Sequence, residues 1–317
     1  VSRQAALRAR IEAELPTPVR RLCPIGGGSV CAAHRADLSD GGSVFVKSRP
    51  DAPHGFFAAE ARGLRLLAAA LLPAALLTDP QFTDVLSGED AARGFGTRVP
   101  RVLAVREDLL IMEWVDPGSA TQQGAELLGS ALATLHRTPA ERFGTELPAF
   151  IGPLPLPLSD KPFRDALNWP EFHTEYRLLP ALRQAVDAGG LEAEDARAVE
   201  QVCGRLPELA GPPQAPAVVH GDLWSGNVHW GRTGTPWLID PCAQGGHPEA
   251  DLAMLRLFGM PQLLRTMAVY DEMSPPLPGR EARVPLHQLH PLLVHTVLFG
   301  GGYGAEAGRC ARRALAA

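Results

Sequence analysis

The sequence predicts an α+β chain of two lobes, β-rich over residues 1–115 and mainly helical over 116–317. Three observations carry that expectation. Short apolar runs broken by Gly and Asp-Gly clusters crowd the N-terminal part, which is the pattern of strands and hairpins. From residue 121 onward apolar residues recur at helical spacing instead. The exception is an island at 217–240, where apolar strands flank a loop of small and polar residues. A chain of 317 residues is long enough to bury a core across both lobes.

The first segment, "VSRQAALRARIEAEL", reads as an amphipathic helix and lacks the continuous apolar stretch of a signal peptide. Residues 19–48 hold apolar-alternating runs joined by Gly clusters, with a hairpin turn at Asp40-Gly41-Gly42. A helix follows over 56–71, "FFAAEARGLRLLAAAL". The run "LLAAALLPAALL" (66–77) is too short to span a bilayer and is broken by Pro73, so it belongs to a buried helix and a turn. Residues 73–98 show weak periodicity with scattered Pro, Gly and Asp, and read as an insertion or mobile loop. Two strands, "RVLAVRE" and "LLIMEWV", are then joined by a tight acidic turn. Helices are expected at 121–137, 170–187, 191–208, 249–271 and 285–299.

Composition narrows the function. Hydrophobic content of 45% and charged content of 21% describe a globular chain rather than a disordered or membrane one. A net charge of −5 argues against a nucleic-acid partner. Five scattered cysteines, none in C-x-x-C spacing, imply neither a disulfide framework nor a zinc site, and the expected location is the cytoplasm. Cys31 reads as a small buried hydrophobe rather than a redox-sensitive thiol.

The chemistry concentrates in "VVHGDLWSGNVHW" (218–230) and "WLIDP" (237–241). Taken singly, Asp222, Asn227 and Asp240 would be turn formers or caps. Together they form a D-x-x-x-x-N loop followed by a strand-end Asp, the order in which a phosphoryl-transfer site arranges its base and its Mg²⁺ ligands. Lys47 in "VFVKS" is one of only two lysines in the chain, and it precedes a helix that carries Glu60. A strand Lys oriented by a helical Glu is what such a site needs to hold the α and β phosphates of ATP. Upstream, Gly26, Gly27, Gly28 and Ser29 offer bare backbone that phosphate oxygens can approach. The strand "LLIMEWVDPG" (109–118) ends in a Pro-Gly break; as a hinge it would present backbone groups near Glu113 and Val115 to the adenine edge.

On these residues the sequence resembles the fructosamine/ketosamine-3-kinase family, within the protein-kinase-like and aminoglycoside-phosphotransferase-like fold. The resemblance rests on "VVHGDLWSGNVHW", "LIDPCAQGGHPEADLAMLRLFG" and "LLVHTVLFGGGY", with "RVPRVLAV", "LGSALATLHR" and "FIGPLP" in support, and spares only 73–98. It implies a bilobal fold and Mg²⁺-dependent transfer of phosphate from ATP to O3 of a ketosamine, a step that destabilises the adduct and frees the amine. By the same resemblance Asp222 is the catalytic base, Asn227 and Asp240 ligate Mg²⁺, Lys47 with Glu60 clamps the phosphates, and Trp224 walls the acceptor sugar. His220 is expected to brace the loop; Asp251 is expected first as an N-cap and also as a brace. The partner would be a free ketosamine or a glycated protein, and the chain a monomer or homodimer.

Two departures touch the acceptor side. Gln244-Gly245 stands where relatives carry an aromatic pair, and "PLPLPLSD" (153–160) lacks the expected Gln and Asn. Other readings therefore stay open: a kinase of the same fold acting on an aminoglycoside, choline or another sugar, or an inactive ATP-binding protein. A protein kinase fits less well, because no long activation segment follows Asp240.

Overall fold

Five N-terminal strands form one antiparallel sheet in the order β1-β2-β3-β5-β4. They are β1 (Val19–Ile25), β2 (Ala32–Leu38), β3 (Ser43–Ser48), β4 (Val102–Arg106) and β5 (Leu109–Glu113). The computed structural model describes residues 3–26, 30–72, 97–158 and 168–317. Gly27, Gly28 and Ser29, and the insertion expected at 73–98 up to residue 96, lie outside the described residues.

Strand alternation divides the sheet between two cores. On one face Val44, Val46, Leu109 and Ile111 pack with Ile11 of α1 (Arg3–Glu14). On the other face Leu110 and Met112 join Phe57, Leu64 and Leu67 of α2 (Phe56–Ala70). That second core continues without a break into the helical lobe through Leu128 and Leu132 of α3 (Gln122–Leu135) and Val218 of β8 (Ala217–Val219). Residues 114–121 connect the sheet to α3, which Thr121 caps by accepting the Gly124 N–H at 3.0 Å.

The helical lobe carries a core of its own. α4 (Trp169–His173) runs through a π-turn at Thr174–Leu178 into α5 (Leu179–Asp187). This unit packs with α6 (Ala193–Leu209), α9 (Arg280–Phe299) and α10 (Tyr303–Ala316). Between lobes and helices lie short strands: the hairpin of β6 (Phe150–Ile151) and β7 (Leu154–Pro155), the pair β9 (Val228–Trp230) with β10 (Pro236–Leu238), and β11 (Gln244–Gly246) against β8.

Three expectations change. The helix expected over 249–271 is two helices, α7 (Pro248–Phe258) and α8 (Leu263–Met273). Gly259 and Gln262 both take positive φ around Pro261, which cannot continue the helix hydrogen bonding. α10 has no counterpart in the sequence reading, although its Glu and Arg residues gather opposite a buried face of Ala and Gly with one Cys and so draw an amphipathic pattern. The end of the expected insertion is ordered structure: Thr97 is buried, and Arg98 bridges β10 through bonds with Pro236 and Leu238. All five cysteines are free, and among the described residues no helix is long and apolar enough to cross a membrane.

Candidate active site

The sheet and the helical lobe meet around one ammonium group. Lys47 Nζ lies 2.7 Å from Glu60 Oε1 on α2 and 2.5 Å from Asp240 Oδ1. Burial works against the lysine's charge, but the two carboxylates outweigh it and hold the pKa above the usual lysine range. Glu60 is itself pushed up, by burial and then by Asp240, with Lys47 opposing. One cation shared by two anions compensates neither fully. α2 reaches this contact because Gly63, one turn beyond Glu60, lies flush on the segment after Asp240: a Cβ there would stand 3.1 Å from Pro241 Cγ.

The loop after β8 supplies the second half. Asn227 Nδ2 donates to the Asp222 carbonyl at 2.8 Å and to its Oδ2 at 3.0 Å. Burial lifts the Asp222 pKa to about 7; the Asn227 bond pulls it down, while the charges of Asp240 and Asp251 push it up. Asp240 sits at φ 54, a left-handed conformation costly for a residue with a Cβ, and such strain gathers at functional sites. Gly221 is also left-handed, and a Cβ there would lie 2.2 Å from the Cys242 carbonyl oxygen. The loop therefore needs glycine at that point.

Asp251 holds the loop from beneath. Its carboxylate accepts the backbone N–H groups of His220 (2.7 Å) and Gly221 (3.0 Å), and its Oδ2 lies 3.1 Å from His136 Nε2, whose Nδ1 in turn meets the Tyr270 hydroxyl. Burial raises the Asp251 pKa, but the His136 bond and neighbouring histidines outweigh it and leave the group below its ordinary value. The expected brace is present; the expected N-cap is not, because His247 caps α7 by accepting the Glu249 N–H. His220 braces as expected: Nδ1 accepts the Asp222 N–H at 3.3 Å, so Nε2 carries the proton and donates to the Ile239 carbonyl at 3.0 Å.

Trp224 is no core residue. It is 39% exposed, folds over Gly226 and stands edge-on to Phe258, which contacts His295. At the opposite end of the cleft, the Glu113 N–H donates to the Arg101 carbonyl and the Val115 carbonyl accepts from His229. Phe45, two residues before Lys47 and hence on the same strand face, packs its ring 6.4 Å from that of Trp114 beside this hinge. Gly26 is described but makes no polar contact with the cluster.

Of the two departures, Gln244-Gly245 is packed inside the fold. Gln244 is buried and accepts from Arg177, and the space a Gly245 side chain would need is filled by the Arg142 carbonyl at 1.8 Å. Cys31 is half-buried, with its thiol pushed up to about 11 by burial. Elsewhere, His247, Glu249 and His287 cluster within 4.8 Å. Arg283 already binds both Glu249 oxygens at 2.9 and 2.5 Å, and that charge opposes a metal ion. The cluster fastens α7 to α9.

Sequence reasoning missed His136, Phe45, Phe258 and His295. Strand alternation from Lys47 could have found Phe45; the others come from distant helices that only tertiary structure brings together.

Around Lys47, the carboxylates of Glu60, Asp222 and Asp240 outnumber the cation, and carboxylates are hard oxygen donors. That set suits a divalent cation and a phosphate chain arriving together. Such a site, opening between a β-rich and a helical lobe, makes this chain a kinase of the protein-kinase-like fold. The fold is shared with a macrolide 2'-phosphotransferase from Brachybacterium faecium (TM-score 0.54, 16% identity, 96% of each chain). More specifically, the chain belongs to the fructosamine kinase family, whose profile matches residues 5–317. A crystal structure from Thermobifida fusca, provisionally named a fructosamine-3-kinase, aligns over 98% of this chain and 99% of its own, with TM-score 0.83 and 42% identity. A provisionally named ketoamine kinase of Thermus thermophilus is 35% identical over 298 residues, 93% of each chain. The chloroplastic protein-ribulosamine 3-kinase of Arabidopsis thaliana is 29% identical over 301 residues, 92% of this chain and 81% of that protein.

Proposed function

We propose that this kinase transfers the γ-phosphoryl group of ATP to the O3 hydroxyl of a ketosamine of the fructosamine or ribulosamine type. The observation that carries the reading is the convergence of Lys47, Glu60 and Asp240 with the Asp222–Asn227 loop. The relative named a ribulosamine 3-kinase supports the acceptor and the position on it.

Lys47 takes the phosphate oxygens, with Glu60 keeping its ammonium in place. Asn227, through Oδ1, and Asp240 would hold Mg²⁺, which when bound offsets the charge that develops on the phosphates. Asp222 aligns the acceptor hydroxyl and takes its proton. With its pKa near 7 it is poised between accepting and releasing a proton near neutral pH. The Glu113 carbonyl and Val115 N–H take the adenine edge, Gly26–Ser29 approach the phosphates, and Trp224 walls the sugar. The ketosamine is free or carried on a glycated protein.

The test is an ATP-consumption screen over fructosamines, ribulosamines, simple sugars, aminoglycosides and choline, with Asp222→Asn as the blank. Turnover confined to ketosamines and abolished in the variant is the expected result. Turnover on an aminoglycoside or choline alone would replace the acceptor, and Mg-ATP binding without any turnover would replace the enzyme reading.

A further inference from the structure

Arg177 is a buried cation held by neutral groups. It is 5% exposed, and among the described residues it forms no ion pair with a carboxylate. Its partners are neutral: Nη1 donates to the carbonyls of Tyr176 (2.8 Å) and Pro157 (3.2 Å), Nη2 donates to Gln244 Oε1, and the guanidinium lies 4.6 Å from the centre of the Phe172 ring. Burial lowers its pKa to about 10, so it stays protonated at neutral pH.

Removing a charge from water costs several kcal/mol, and a well-packed hydrocarbon often fills such a place with less penalty. What a hydrocarbon lacks is the planar fork that fixes several acceptors relative to one another. The acceptors here belong to separate segments. Pro157 leaves the β6–β7 hairpin, whose Ile151 packs with Leu156, Cys242 and Val294 and whose Gly152 abuts Leu298 and Val30. Gln244 opens β11, which follows Asp240 and pairs with β8, the strand that leads into Asp222. The π-turn at Thr174–Leu178 interrupts a helix that otherwise runs from Trp169 to Asp187, and insertions of this kind often mark functional positions.

We propose that Arg177 is a positioning residue for the acceptor side of the site. It locks the 149–157 segment to β11 and so sets the distance between the hairpin wall and Asp222. The two segments that depart from the family pattern are the two it joins, so this strut tunes which acceptor fits. The inference rests on the ketosamine reading for its substrate, not for its geometry.

The experiment pairs Arg177→Met and Arg177→Lys with wild type in two measurements. Steady-state kinetics on a ribulosyl-lysine acceptor should show its KM raised about tenfold or more in both variants, because Lys keeps the charge but loses the fork. The ATP KM should stay within about twofold, since among the described residues no nucleotide-side group touches Arg177. Amide hydrogen exchange should show protection lost in 149–157 and 242–246, with β3, α2 and the α4–α5 and α9 helices unchanged. A merely structural Arg would instead lose protection across α4, α5 and α9 and leave both KM values alone in the folded fraction; that pattern overturns the proposal. Equal rises in both KM values also overturn it. Should wild type fail to phosphorylate any ketosamine, the acceptor reading falls, while the exchange measurement still decides whether Arg177 is the strut.

Discussion

Replacing Lys47 by Met removes the one cation that Glu60 and Asp240 share, and the consequences for stability can be worked from the geometry. Breaking a fully buried pair by deleting one partner costs about 3–5 kcal/mol. Asp240 is 40% exposed on its side chain, so water takes over most of its share, whereas Glu60 is only 13% exposed. We therefore expect a loss of roughly 3 kcal/mol at pH 8, most of it from the stranded Glu60. The sign of the pH dependence follows. Burial and Asp240 already hold the folded pKa of Glu60 above its unfolded value, and without Lys47 it rises further. Below that raised pKa the carboxyl is protonated and the penalty fades; above it the penalty is complete. Urea denaturation of Lys47→Met at pH 5.5 and pH 8 should show the smaller loss at the lower pH. Lys47→Met with Glu60→Gln should recover most of the stability at pH 8, yet still use ATP poorly. A loss independent of pH, and no recovery in the double variant, would refute the shared-cation account.

Asp222→Asn should fold normally and lose about 10²–10⁴-fold in kcat, measured by coupled ADP release. The same variant should gain stability over wild type, with the gain growing from pH 4 to pH 7, because the folded carboxyl with a pKa of about 7 resists ionisation that the unfolded chain allows; thermal melts across that range check it. In wild type, kcat/KM should fall as pH drops through about 7, the limb set by Asp222. Asn227→Ala should raise the Mg²⁺ concentration needed for half-maximal rate and lower kcat, because the amide also orients Asp222. Asp251→Ala strands two backbone N–H groups and should cost about 3 kcal/mol, read by urea midpoint.

Much of this was legible in the chain because kinase chemistry leaves local marks. "HGDLWSGN" puts the base and the amide on one short loop, and a rare Lys within an apolar strand marks the place beside the phosphates. Strand and helix periods placed both lobes. What stayed hidden depends on tertiary contact. Asp251 is expected to brace the loop, but it also looks like the cap of its helix, and only the fold reveals that His247 caps instead. α10 escaped because the face it buries carries only small residues, so the signal available was the Glu and Arg residues on its other face; close packing rewards the small ones, since a Cβ at Gly308 would lie 1.9 Å from Asp195 Oδ1. Gln244 read as a change to the acceptor pocket, whereas the structure buries it against Arg177, a partner too far along the chain for spacing to suggest.

The most direct measurement is ³¹P and ¹³C NMR of the product formed from ATP, Mg²⁺ and ribulosyl-lysine. Phosphorus coupled to C3 of the ketose, with no product from Asp222→Asn, is the predicted spectrum. Phosphorus on another atom, or equal product from the variant, would contradict the account.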